Sequence, residues 1–133
     1  MSFQTEFIDG GTGALRIGRG VVTGQEIIDS VESFLSTVDD PMRITHQLVD
    51  FTKVDAFDVF TEDMERAAFL ALRNAKRMGK VRLAIAAPGD VAYGMCRMFG
   101  ALVYRSEWSI CIVRAREEAV AWLGSRLDGQ TRA

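Results

Sequence analysis

Histidine occurs once in this chain, and cysteine and proline twice each. A metal site needs several ligands converging at fixed spacing. His46 with the distant Cys96 and Cys111 offers no such set, so no metal is expected. Both cysteines lie inside apolar segments, which reads as buried free thiols and a cytoplasmic setting. No apolar run reaches bilayer-spanning length, and the opening residues lack the basic start and long apolar core of a signal peptide, so neither membrane insertion nor export is expected. The sixteen basic residues are scattered against eighteen acidic ones, for a formal net charge of −2. The counterion-release attraction that drives nucleic-acid binding therefore has no patch to act through. Phosphate loops are missing too. In Gly11-Thr12-Gly13 the third glycine of a dinucleotide loop would fall on Arg16, and the segment leads into a strand. Lys53, Lys76 and Lys80 do not follow P-loop spacing, and no cofactor is expected.

What is present is an ordinary globular composition, 48% hydrophobic and 26% charged over 133 residues, enough for one core and one domain. Residues 3–8 and 14–17 alternate apolar and polar side chains around a glycine-rich turn, which predicts an antiparallel hairpin. Thr23 and Glu26 form a T-x-x-E capping box ahead of Ile27, Ile28, Val31, Leu35 and Val38 at helical spacing. Asp39-Asp40-Pro41 stops that helix, and residues 44–51 follow as a third strand. Thr61 is placed to cap a second helix that Gly79 ends. Residues 81–87 form a strand apolar on both faces. Pro88-Gly89-Asp90 then turns the chain into a helix reaching about Val103, residues 108–113 form the last strand, and residues 116–123 the last helix, closed by Gly124. Strands alternating with helices after a hairpin predict an α/β domain over residues 1–124, with a mostly parallel sheet of about five strands and about four helices. Residues 125–133 read as a frayed polar tail.

Parallel sheets place their binding surfaces where strands end and the next helices begin. The junction Val54-Asp55-Ala56-Phe57-Asp58-Val59-Phe60-Thr61 is therefore the leading site: four large apolar side chains in a stretch read as an acidic surface loop. Its plain reading is a lid over the sheet edge; its functional reading is a contact patch. Tyr93, Met95, Met98, Phe99 and Leu102 fit one buried helical stripe. Gly94 and Gly100 within it suggest close approach of another backbone, a ligand or a second subunit, since each costs about 1 kcal/mol relative to Ala. Arg97 is either solvated or an anion ligand. His46 alternates with Ile44 and Leu48, which reads as a packed or edge histidine.

Three stretches resemble the SpoIIAA-like proteins, which are similar in fold to STAS domains and more remotely to CRAL-TRIO lipid-binding domains. They are Asp50-Phe51-Thr52-Lys53-Val54, residues 81–88 with Tyr93-Gly94-Met95-Cys96-Arg97-Met98-Phe99, and Glu117-Glu118-Ala119-Val120-Ala121-Trp122-Leu123. The resemblance implies a small sheet flanked by helices. It also implies comparison with STAS-type anti-sigma factor antagonists, in which an Asp-Ser-Ser step after this strand presents a serine that a partner kinase phosphorylates. The equivalent aspartate here is Asp58, followed by Val59 and Phe60, so the usual phosphoacceptor is missing and Thr61 is the neighbouring hydroxyl.

The expectation is a non-enzymatic regulatory or protein-interaction module acting through Asp55, Phe57, Asp58, Phe60 and Thr61, with Tyr93 and Arg97 as further contact residues. Its partner would be a protein, a second copy of the chain included. The alternative is a carrier for a small apolar molecule or lipid, with Phe57, Phe60, Tyr93, Met95 and Met98 lining the pocket. An enzyme ranks third, because Asp50, Asp55 and Asp58 have no nucleophile, metal partner or base beside them in sequence.

Overall fold

The computed structural model describes residues 3–38, 40–104 and 106–124. The expected tail at 125–133, and Asp39 of the first helix stop, lie outside the described residues. In chain order the elements are β1 (Phe3–Ile8), β2 (Gly13–Thr23), α1 (Gly24–Thr37), β3 (His46–Asp58), α2 (Thr61–Met78), β4 (Arg82–Ala86), α3 (Asp90–Val103), β5 (Ser109–Val113) and α4 (Arg116–Trp122). They form one five-stranded sheet in the order β1-β2-β3-β4-β5. Among the described residues only the β1–β2 pair is antiparallel. Among the described residues no helix is long and apolar enough to cross a membrane.

Right-handed crossovers that always step in the same direction across a sheet leave their helices on the same face. Accordingly α1, α2 and α3 pack together over Val49, Phe51, Leu83 and Ile85. The alternate residues Leu48, Ala84 and Ala86 face the other way and are covered by α4 through Ala119, with Leu123 just beyond its end. Both faces are thus buried, which explains the nearly continuous apolar run of β4.

Four expectations are corrected. The third strand does not stop at Phe51: it continues to Asp58, and residues 53–58 pair with residues 19–23 of β2. Val54 to Asp58 is therefore strand and not loop. The pairing survives two register shifts, one flanked by Gly20 at φ 66°, a left-handed value that glycine adopts without strain. Second, the cap of α2 is not Thr61. Phe60 occupies the cap position, its N–H donates to Asp63 Oδ2 at 2.9 Å, and Thr61 is the first helical residue. Third, the buried stripe of α3 is Ala92, Cys96, Phe99 and Val103, rotated from the expected one: Tyr93, Met95 and Met98 are half-buried and Leu102 is exposed. Fourth, among the described residues nothing approaches Gly94, whereas Gly100 lets α3 lie against Ile110 and Ile112 of β5.

Candidate functional site

β1 covers β2 only as far as Gly18, and β4 covers β3 only as far as Asp50. Residues 19–23 and 53–58 therefore run on as a two-stranded parallel ribbon that ends about 26 Å beyond the edge of β4 at the usual rise per residue. Thr23 and Asp58 end it side by side, and each is followed almost at once by a helix.

Both helix starts are closed by a carboxylate that satisfies amide groups left without helical partners. At α1, Thr23 Oγ1 accepts from Glu26 N–H at 3.2 Å, and Thr23 N–H donates to Glu26 Oε1 at 3.0 Å. At α2, Asp63 does the equivalent for Phe60. The two starts interlock, because a Cβ on Gly24 would collide with the Asp63 carboxylate. Gly24 is thus what allows the second cap to sit where it does.

The structure brings five of the expected site residues together here. Asp55, Asp58 and Thr61 are exposed, Phe60 is 66% exposed, and Glu62 continues the acidic rim. Phe57 is half-buried and packs edge-on against Phe51 with ring centroids 5.3 Å apart. Val59 is buried in the same core. With Val59 turned inward, its neighbour Phe60 is directed out. Val21 on β2, 56% exposed, adds an apolar side chain to the ribbon that the sequence pattern did not single out.

Tyr93 and Arg97 lie elsewhere. They line a groove between α3 and β5 with Tyr104, Trp108, Ile110 and Ile112, and none of residues 55–61 contributes to it. The Tyr93 ring receives the Arg114 guanidinium at 4.2 Å and that of Arg97 at 5.9 Å. Arg114 in turn donates to Pro88 O at 3.0 Å and Asp90 Oδ1 at 2.6 Å. These groups tie the start of α3 to the end of β5.

The remaining polar candidates are engaged in structure. Asp50 is fully buried on the α4 face, where Arg116 donates to Oδ2 at 2.8 Å, and Thr52 donates to Oδ1 from N at 2.7 Å and from Oγ1 at 2.6 Å. Burial by itself would raise the Asp50 carboxyl, but these bonds from Thr52 and Arg116 outweigh it and hold the group below its ordinary value. His46 is packed as expected, with Nε2 2.7 Å from Asp9 Oδ2 and Nδ1 2.8 Å from Thr45 Oγ1. It fastens the β1–β2 turn to β3. Among the described residues no three His, Cys, Asp or Glu side chains converge as metal ligands. A cavity of about 70 Å³ lies between the sheet and α1–α3, and none of Phe57, Phe60, Tyr93, Met95 or Met98 lines it.

No family model matches the sequence, and no curated protein matches it. Solved structures do. An uncharacterised DUF3478-family protein with a SpoIIAA-like fold from Shewanella loihica PV-4 is 18% identical, with a TM-score of 0.52 over 91% of each chain. The anti-sigma factor antagonist SpoIIAA in its unphosphorylated form is 15% identical, with a TM-score of 0.53 over 92% of this chain and 97% of that one. At such identities the likeness speaks for architecture alone, and that architecture is the SpoIIAA-like α/β fold, with its four helices and mixed five-stranded sheet.

Proposed function

We propose that this protein is a non-enzymatic regulatory module that docks a partner protein on the free end of the β2–β3 ribbon and the first turn of α2. The observation that carries the reading is Phe60. It is 66% exposed although Val59 before it and Met64 four residues on are buried, and the exposed Asp58 and Glu62 flank it two residues away on either side in the chain, with exposed Asp55 further back on β3. An aromatic side chain held out of the core on a rigid, doubly capped corner is the kind of anchor that carries binding energy in protein interfaces. The carboxylates around it favour a partner with an apolar pocket rimmed by basic groups. The likeness to SpoIIAA, an anti-sigma factor antagonist, supports a binding role in place of catalysis. The serine pair of such antagonists is replaced here by Val59 and Phe60, so docking would not depend on phosphorylation at those positions.

The test is a photo-crosslinking phenylalanine analogue placed at position 60 in cells, with the same analogue at Tyr104, 70% exposed, as the control. One discrete adduct is expected at position 60, absent at 104 and lost when Glu62→Arg reverses the rim. A second copy of this chain as the adduct would make the module a homodimer. Identical adducts at both positions, or none at 60, would refute the reading.

A further inference from the structure

The cavity between the sheet and α1–α3 is mostly apolar, with Val49, Ile85 and Phe99 among its walls, yet three polar side chains also line it: Arg16, Gln47 and Trp108. Arg16 and Gln47 are 8% and 2% exposed. Arg16 Nε, Gln47 Oε1 and Trp108 Nε1 are buried atoms without a hydrogen-bond partner among the described residues. Three residues lining one small cavity thus each carry an orphaned polar atom, against the usual rule that buried polar groups are paired.

Arg16 is the most demanding of them. Its terminal nitrogen donates to Ser30 Oγ, and its guanidinium lies 5.2 Å from the Phe34 ring centre and 6.0 Å from that of Phe3. Among the described residues no carboxylate pairs with it. Burial pulls the guanidinium down to about 10, which still leaves it protonated at neutral pH. A buried charge is stable only when paired and hydrogen-bonded. Arg16 Nε–H is a donor. A half-turn of the neighbouring Gln47 amide exchanges its oxygen for its NH2 and supplies a second.

We infer that this cavity is a binding site for a small monocarboxylate, its carboxylate received by Arg16 and Gln47, which share one face of neighbouring strands, and its short alkyl tail lying against the apolar walls and the Trp108 ring. The inference is independent of the docking surface proposed above. Size sets the class: 70 Å³ is about half of the ~150 Å³ engineered cavity that admits benzene, which suits a ligand of roughly three to five non-hydrogen atoms. Propionate is of that size and octanoate is not. An amphiphile of lipid length would need another site.

The chain has two tryptophans, Trp108 and Trp122, so its indole N–H resonances contain both a reporter and a control. Sodium propionate is titrated into ¹⁵N-labelled wild-type protein at fixed ionic strength, with sodium chloride, propionamide and sodium octanoate as parallel arms. Ligands so small bind weakly, so saturation is expected at concentrations on the order of millimolar. The Trp108 indole resonance should shift saturably with propionate while that of Trp122 stays in place. Propionamide, which can accept a hydrogen bond but brings no charge to the guanidinium, should bind roughly thirtyfold more weakly or worse. Octanoate should bind more weakly than propionate, and Arg16→Met should abolish the shift. If Arg16→Met fails to fold, the comparison of propionate with propionamide in the wild type still decides. No saturable shift, an equal response to propionamide or chloride, or tighter binding of octanoate would each overturn the assignment.

Discussion

Phe57 and Phe60 are three residues apart, and the fold gives them opposite roles that stability can separate. Phe60 is 66% exposed, so only about a third of the 1.5 to 3 kcal/mol available from complete burial is realised, roughly 0.5 to 1 kcal/mol. Phe57 is half-buried against the Phe51 ring. Two-thirds or more of the 3 to 5 kcal/mol typical for truncating a packed phenylalanine, together with a modest edge-to-face term, puts its removal at roughly 2.5 to 4 kcal/mol. Urea unfolding followed by tryptophan fluorescence should show Phe60→Ser close to wild type in midpoint and slope. Phe57→Ser should show a clearly lowered midpoint. Partner capture should fail in the Phe60→Ser variant while its fold persists. Equal losses of more than about 2 kcal/mol in both variants would mean that Phe60 is part of the core and that the corner is only a lid.

At the start of α2, Thr61→Ala should change stability by less than about 0.5 kcal/mol, whereas Asp63→Ala should cost about 1 kcal/mol, because Asp63 holds the Phe60 N–H; urea titrations of the two variants check this. Arg116→Ala should cost about 3 kcal/mol by leaving Asp50 charged and buried, and Asp50→Asn less, since the Arg116 side chain, 37% exposed, can still reach water. Because the Asp50 carboxyl is held below its unfolded value, its stabilisation is complete above the unfolded value of about 3.9 and is lost as pH falls through the folded one. Thermal unfolding between pH 6 and pH 2 should thus show a steeper acid loss in wild type than in Asp50→Asn. Burial pushes the Cys96 thiol up to about 12, so iodoacetamide at pH 8 should leave it unmodified in the native protein and alkylate it after unfolding, as peptide mass spectrometry would show.

Much of the architecture was legible because its signals are local. The Thr23–Glu26 box marks the start of α1, Gly79 at φ 72° ends α2, and the apolar run of β4 announces burial on both faces. The ribbon was not legible. Asp55 and Asp58 on either side of Ala56 and Phe57 read as an acidic loop, and Gly18 and Gly20 broke the strand pattern of β2, yet the two segments pair with each other across 30 residues or more. Long-range pairing of this kind leaves no trace in either segment alone. Arg16 was missed for a related reason. In Leu15-Arg16-Ile17 alternation implies one wet face, but β2 lies inside the sheet with Leu15 and Ile17 packed on the α4 side and Arg16 under α1. Phe60 was recognised as a candidate, but only the inward turn of Val59 decides that it faces out.

The Asp50–Arg116 pair acts as a check on strand register. Asp50 stands beside Ala86, and Ala86 beside Val113, in one row across three strands, with Arg116 three residues past the end of that row. Sliding any one strand by a single residue would turn its inward set outward. A slip in β3 would carry Asp50 to the opposite face, and a slip in β4 or β5 would displace the first turn of α4. The bond joins residues 66 apart in the chain, so it closes only when the three strands and the last helix already agree. It therefore distinguishes the completed sheet from its misaligned alternatives, a discrimination that apolar contacts tolerant of small shifts do not provide.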